Sequence, residues 1–286
     1  MTTSALAKIN LTLEILGTKR GDGFHDILSV MHKIPVGDRI SLEITKTPDI
    51  DFSSNENVCA NEENLAYRAF ILYREKAVKK GHENFGAKIH VEKLMPTGAG
   101  LAGGSADGAA VRDLLNKSLG VMTNAEMHEL SGALGSDVPF CLEKHTCCLC
   151  SGRGEVMKDI SPLRSVFCIV AKPNENLPTK GIYKSYDAIH GDDYTKEASF
   201  LMEKALASGD IKGVSSLLVN DFEEICVQRL PEIASLRKDM LSIGAMNARM
   251  SGSGSSVFGL FDNEKDMKKC EKLFYDKGLF CRGFEY

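Results

Sequence analysis

The segment Pro96-Thr97-Gly98-Ala99-Gly100-Leu101-Ala102-Gly103-Gly104-Ser105-Ala106-Asp107 constrains this chain more than any other. Glycine has no Cβ and loses the most backbone freedom on folding, so a cluster of them suits a place where backbone must come close to something. The segment follows an alternating stretch, Ala87, Ile89 and Val91, and leads into a helical stretch from about Ser105 to Leu119 that Gly120 stops. A glycine loop between a strand and a helix presents unpaired N–H groups and the positive end of a helix dipole, which suits a polyphosphate. Gly98-x-Gly100-x-x-Gly103 matches the dinucleotide fingerprint letter for letter. Its context fails, because helix follows helix downstream, with no second strand whose acid could hold a ribose. Gly98-x-x-x-x-Gly103-Gly104-Ser105 nearly matches the lysine-bearing phosphate loop, but Gly104 stands where the lysine must be. The remaining alternative is a flexible helix start that binds nothing.

The rest of the chain reads as mixed structure. Ala5, Ala7, Ile9, Leu11, Leu13 and Ile15 alternate with Lys8, Asn10, Thr12 and Glu14, which predicts a half-buried strand with Lys8 and Asn10 on the face away from the core. Residues 17–23 read as a turn, and Ile40, Leu42 and Ile44 as another alternation. Asn61 is placed to cap a helix running to about Gly81, and Thr123 with Glu126 forms a capping box for a helix ending at Gly135. The apolar run 166–171 predicts a strand buried on both faces. Helices follow at about 195–208, 211–219 and, with Pro231 at the first helical position, 231–243. A strand at 257–261, a helix capped by Asn263 and ending near Gly278, and a short final strand close the chain. The layout is α+β in two halves, 1–160 and 161–286, with a soft boundary near 155–175.

Composition excludes several classes. Lys+Arg 35 against Asp+Glu 39 leaves a net charge of −4, with no basic excess for nucleic acid. The chain has no apolar run of about 18 residues, which a membrane-spanning helix would need. Lys8, Asn10 and Glu14 interrupt the start where a secretory signal would be continuously apolar, and an Arg- and Ser-rich transit sequence is missing, so a cytoplasmic protein is expected. Nine cysteines, an odd number in a chain of this length, argue against a disulfide framework. The cluster Cys147, Cys148 and Cys150 has no second ligand pair at zinc spacing and reads as a strand of small buried thiols.

Three segments in order, Ala7-Lys8-Ile9-Asn10-Leu11, Pro96 to Ser105, and Met250-Ser251-Gly252-Ser253-Gly254, resemble the signatures of the GHMP small-molecule kinases. Asp22-Gly23-Phe24-His25 and Leu134-Gly135-Ser136-Asp137-Val138-Pro139-Phe140 narrow the likeness to the branch whose acceptor is a cytidine-diphosphate-linked methylerythritol. The resemblance implies an N-terminal half like the second domain of ribosomal protein S5 and a ferredoxin-like C-terminal half. It implies ATP with Mg²⁺, phosphorylation of the acceptor's 2-hydroxyl in isoprenoid precursor synthesis, small-molecule partners only, and a monomer or weak homodimer.

Site residues carry over one at a time. Lys8 and Asp137 match the catalytic pair, Asp137 as general base and Lys8 as the cation that keeps it ionised and stabilises charge on the reacting oxygens. Asn10 shares a strand face with Lys8 and is expected to bond the substrate hydroxyls; Phe24 and His25 match the cytosine-binding pair, and Tyr183 a second aromatic against the base. Pro96, Gly98, Gly100, Gly103, Gly104, Ser105 and Ala106 match the ATP phosphate loop, and Asn64, Leu65 and Lys93 positions near the adenosine. Phe24 stands where Tyr is frequent, Ala102 where Gly is, Ala106 where a second Ser is, and Ser251 and Ser253 where Thr is. The change at Ala106 leaves its hydroxyl's part at the phosphates to Ser105. The alternatives are another GHMP kinase acting on mevalonate or homoserine, and a ligand sensor that kept the fold without the chemistry.

Overall fold

A computed structural model describes residues 1–17, 21, 25–56, 61–177, 179–189 and 196–286. In chain order these form β1 (Thr2–Leu16), β2 (Asp26–Thr45), β3 (Ile50–Ser54), α1 (Leu65–Lys79), β4 (Gly86–Glu92), α2 (Gly103–Leu119), α3 (Asn124–Leu134), α4 (Val138–Leu142), β5 (Cys147–Ser151) and β6 (Val156–Asp159). Then come β7 (Phe167–Lys172), α5 (Thr179–Ile189), α6 (Ala198–Ser208), α7 (Ile211–Ser216), β8 (Val219–Asn220), α8 (Glu223–Arg229), α9 (Glu232–Ile243), β9 (Asn247–Met250), β10 (Val257–Phe261), α10 (Glu264–Asp276) and β11 (Phe280–Glu285). The chain forms two compact units, one of Met1–Ala7, Ile34–Thr97 and Ala102–Lys144, the other of Lys8–Lys33, Gly98–Leu101 and His145–Tyr286.

In the first unit β4 pairs antiparallel with β2 from Arg39↔Glu92 to Thr45↔Gly86, and parallel with β3. Alternate residues of these strands, Ile40, Leu42, Ala87, Ile89 and Val91, line one core. Over it lie Ala66, Ala69, Phe70, Tyr73 and Ala77 of α1 and Ala106, Ala109, Ala110, Val111, Leu114 and Leu115 of α2. The small residues on α2 let it sit close to α1: a Cβ added at Gly108 would lie 3.0 Å from the Leu65 carbonyl oxygen. Burying a side chain such as Phe70 contributes roughly 1.5–3 kcal/mol. The helix predicted from Asn61 starts later, because residues 61–63 form a 3₁₀ turn and Asn64 is the true cap. Asn64 has extended backbone, and its side chain accepts the Ala66 N–H at 2.9 Å. The capping box Thr123–Glu126 and the left-handed Gly120 after α2 stand as the pattern predicts.

In the second unit β7, β9, β10 and β11 form an antiparallel sheet in the order β11-β7-β10-β9. Numbered along the chain this order is 4-1-3-2. With helices after the first and third strands it is the ferredoxin-like arrangement that the resemblance implies. Ile169 and Val170 of β7 and every residue of β10 are buried, as continuous apolar runs require. Pro231 takes the cap of α9, one position earlier than expected, and α5 and α8 escape the sequence pattern.

The structure corrects the prediction for β1. From Ala7 to Ile15 every residue is buried, with Lys8 at 3% and Asn10 at 1% exposure. The polar face of the strand is covered, not solvated. Thr12 Oγ1 bonds Ser199 Oγ, and the Glu14 carboxylate accepts the N–H groups of Ala198 and Ser199, capping α6. Alternation in sequence reports the chemistry of each face, and here the polar face meets polar partners instead of water. The turn expected at 17–23 lies largely outside the described residues, as does Cys59. Cys147, Cys148 and Cys150 sit buried on β5, and among the described cysteines none is in a disulfide.

Candidate active site

The glycine segment is built at a strand-to-helix junction, and its residues divide between the two units. Ala102 adopts left-handed backbone (φ 56°, ψ 28°) and caps α2 without a side-chain hydrogen bond. The first N–H of α2 with an acceptor in its own helix geometry is that of Ala106, bonded to the Ala102 carbonyl at 2.9 Å. The N–H groups of Gly103, Gly104 and Ser105 therefore have no partner within the helix. No acid occupies the first turn to offset its positive end. Gly104 is exposed and Gly103 and Ser105 are half-buried, which leaves this end open. The chemistry fits a polyphosphate such as that of ATP.

In the second unit the loop touches the late glycine turn. Gly100 has φ +74°, and a Cβ there would lie 2.1 Å from the Ser251 carbonyl oxygen and 3.0 Å from Gly254 N. The Ser251 hydroxyl donates to Gly100 O at 3.0 Å and accepts the Asn10 N–H at 3.3 Å. Lys8 N–H donates to Leu101 O at 3.0 Å. Asn220 donates to Met250 O at 2.8 Å and Gly252 O at 2.9 Å, which holds the late turn. Three stretches distant in sequence thus meet, and the approach of Gly100 to Ser251 leaves no room for a Cβ. On the buried strand, Lys8 Nζ donates to Asn10 Oδ1 at 2.6 Å, and Asn10 Nδ2 donates to Ser29 Oγ at 2.9 Å.

A second cluster lies in the same unit. His25 is buried and its Nε2 bonds Asp187 Oδ1 at 2.6 Å. Tyr183, on α5, stacks on the His25 ring at 5.4 Å between centroids and 26° between planes, and the Phe222 ring meets it edge-on at 4.6 Å. Such a tier of rings offers an apolar face flanked by polar edges.

Residues 64–145 match the GHMP kinases N terminal domain and residues 202–272 match GHMP kinases C terminal. The 4-diphosphocytidyl-2-C-methyl-D-erythritol kinase of Lachnoclostridium phytofermentans is 37% identical over 275 residues, 95% of this chain and 90% of that protein. The kinase of the same name from Caldanaerobacter subterraneus subsp. tengcongensis is 38% identical over 279 residues, 96% of this chain and 92% of that protein. The chain belongs to the GHMP kinase family. A crystal structure of 4-(cytidine 5'-diphospho)-2C-methyl-D-erythritol kinase resembles it with a TM-score of 0.80 at 29% identity, covering 99% of this chain and 97% of the other. Homoserine kinase from Cytophaga hutchinsonii, with a TM-score of 0.69 at 18% identity over 97% of this chain and 93% of the other, shares the fold.

As a GHMP kinase the chain distributes its expected site residues unevenly. The second unit brings Lys8 to Asn10, His25 to Tyr183, and Gly100 to the late turn. The first unit holds Pro96, Gly103, Gly104, Ser105, Ala106, Asn64, Leu65, Lys93 and Asp137. There Leu65 lies 3.8 Å from where a Gly104 Cβ would be, next to the open helix end. Asp137 precedes α4 as its cap, half-buried, with its carbonyl accepting the Cys141 N–H at 3.1 Å. Its side chain makes no capping bond. Phe24 lies outside the described residues. Lys93 differs most from a simple adenosine contact, because its ammonium is buried between Asp38 and Asp107.

Sequence reasoning missed Asp38, Asp107, Asp187 and Asn220. Asp107 closes the glycine segment and Asp38 follows Gly37, but neither spacing reveals a shared partner. Asp187 follows Tyr183 by one helical turn, a signal that α5, once recognised, would have supplied.

Proposed function

We propose that this GHMP kinase transfers the γ-phosphoryl group of ATP to the 2-hydroxyl of 4-diphosphocytidyl-2-C-methyl-D-erythritol. The observation that carries this reading is the similarity at 37% and 38% identity to kinases of that name across 95% and 96% of the chain. The open N-terminus of α2 supports it, because phosphoryl transfer asks mainly for positioning and charge stabilisation.

In this reading the N–H groups of Gly103, Gly104 and Ser105 hold phosphate oxygens. The Asp137 carboxylate accepts the proton of the acceptor hydroxyl as its oxygen bonds the γ-phosphorus and the bond to the departing ADP oxygen breaks. Lys8 donates to oxygens that gain charge, while its bond to Asn10 fixes the ammonium's position. Asn10, already oriented by Ser29, orients the acceptor's hydroxyls. The Tyr183 ring takes the cytosine, with His25 stacked beside it, and Phe24 is assigned to the same base from the sequence alone. Mg²⁺, when bound, neutralises charge on the β- and γ-phosphates. Such an ion keeps several of its waters and is held largely by the substrate phosphates.

The test is turnover of ATP with the cytidine-linked acceptor, with mevalonate and with homoserine, each at equal concentration. Phosphorylation of the cytidine-linked acceptor alone is expected. Transfer only to mevalonate or homoserine would overturn the substrate. Nucleotide binding without transfer to any acceptor would favour the sensor.

A further inference from the structure

Under the first turn of α2 lies a buried group of three charges that the reaction does not use. Lys93 Nζ donates to Asp38 Oδ2 and, at 2.9 Å, to Asp107 Oδ2. The three side chains are 3%, 0% and 5% exposed, respectively. A Cβ added at Gly103, the first residue of α2, would lie 3.5 Å from both Asp38 Oδ2 and Lys93 Nζ. The group therefore sits directly beneath the proposed phosphate-holding turn.

The two carboxylates are not equivalent. Asp38 is fully bonded, since its Oδ1 also accepts the N–H groups of Leu94 at 2.6 Å and Met95 at 2.8 Å. Asp107 has one oxygen on Lys93, and its buried Oδ1 has no hydrogen-bond partner. A buried ionised oxygen left unbonded is far costlier than a neutral one. With both acids ionised the group also carries one surplus negative charge beside an anion site. The neighbours offer no relief. Lys93, just after β4, and Asp38, on β2, are the charged groups acting on Asp107. From α1 the packed residue is Leu65, which is uncharged, and α4 has no charged side chain from Val138 to Leu142. On α3, Glu126, Glu129 and His128 pair with Lys80, Lys76 and Glu143. Burial raises the Asp107 carboxyl most, Lys93 opposes it, and Asp38 raises it further, to about 7.

We infer that Asp107 is a proton-linked positioning residue of the phosphate loop: a nucleoside polyphosphate binds together with one proton, taken from solution onto the Asp107 carboxyl. The inference rests on the kinase reading above. The O–H bond forms at the unbonded Oδ1, Oδ2 keeps its bond from Lys93, and the triad becomes neutral under the incoming phosphates. Those phosphates favour the neutral form, and by linkage the neutral form favours the phosphates.

Calorimetry of ADP binding to the full chain tests this, in two buffers of different ionisation enthalpy at pH 7.5, for wild type and Asp107→Asn. Asn is a neutral isostere that still accepts from Lys93. Proton exchange by the nucleotide itself is common to both proteins, so their difference reads Asp107. If binding raises the carboxyl by about one pKa unit, wild type takes up roughly half a proton more than the variant. Wild-type affinity also falls about tenfold more than the variant's between pH 6 and 9. Equal proton counts with binding intact overturn the inference and leave the kinase reading standing. Absence of nucleotide binding in wild type overturns both. Should Asp107→Asn fail to fold, carboxyl carbon-13 titration of wild type decides: an Asp107 titration unchanged by ADP refutes the linkage.

Discussion

Replacing Gly100 with alanine probes the contact that joins the two glycine turns. The residue has φ +74°, in the left-handed region, where an L side chain costs roughly 1–2 kcal/mol. The new Cβ would also lie 2.1 Å from Ser251 O and 3.0 Å from both N and O of Gly254. Those neighbours are backbone atoms that cannot rotate away, so the turns must separate, at a further cost of about 1–3 kcal/mol typical of overpacking. The sum is about 2–5 kcal/mol. Gly120→Ala is the control: φ is +64°, nothing lies within 4 Å of its Cβ, and only the conformational cost of roughly 1–2 kcal/mol applies. Urea unfolding of both variants and wild type, with KM for ATP measured beside it, separates the two costs. Gly100→Ala should lose more stability than Gly120→Ala and should alone raise KM. Equal losses with unchanged KM would show that the contact between the turns carries no weight, and the reasoning would fail.

Four further outcomes are expected. Asp137→Asn should abolish turnover while ADP still binds; turnover at the wild-type rate would remove the carboxylate from proton transfer. Tyr183→Ala should weaken the cytidine-linked acceptor by about 1–3 kcal/mol, read as KM, if the ring stacks on a base, and an unchanged KM would count against it. Ala102→Gly should stabilise the fold by about 0.5–1 kcal/mol, since φ is 56° at this position; a loss of thermal stability would refute the strain. His32 is wholly buried, accepts the Leu163 N–H at Nε2 and donates from Nδ1 to Lys33 O, and burial lowers its pKa from 6.5 to about 4. The unfolded state then binds the extra proton, so stability should fall as pH drops from about 6.5 to about 4, by roughly 3 kcal/mol in all. The same fall in His32→Gln would assign the effect elsewhere.

Much of the fold was legible because local chemistry set it. Thr123 with Glu126 is a complete capping box, Gly120 ends α2, and the apolar run of β10 is buried throughout. α5 was not legible, because its apolar face is short and a loop-like stretch precedes it. The glycine segment was readable as a run of glycines, since close backbone approach excludes side chains whatever the partner. The partner itself was not readable, because Ser251 is 151 residues from Gly100.

The amino-acid order alone determined the chemical types: a glycine-rich helix start, an ammonium and an amide on alternate positions of one strand, and a carboxylate on a turn before a short helix. Tertiary structure alone decided their environments. Lys8 and Asn10 are buried because the polar face of β1 is covered by polar partners, and Lys93 is ion-paired twice because β2 and α2 each bring it a carboxylate. Periodicity reports which residues share a face, whereas burial and ionisation depend on what the rest of the chain lays against that face.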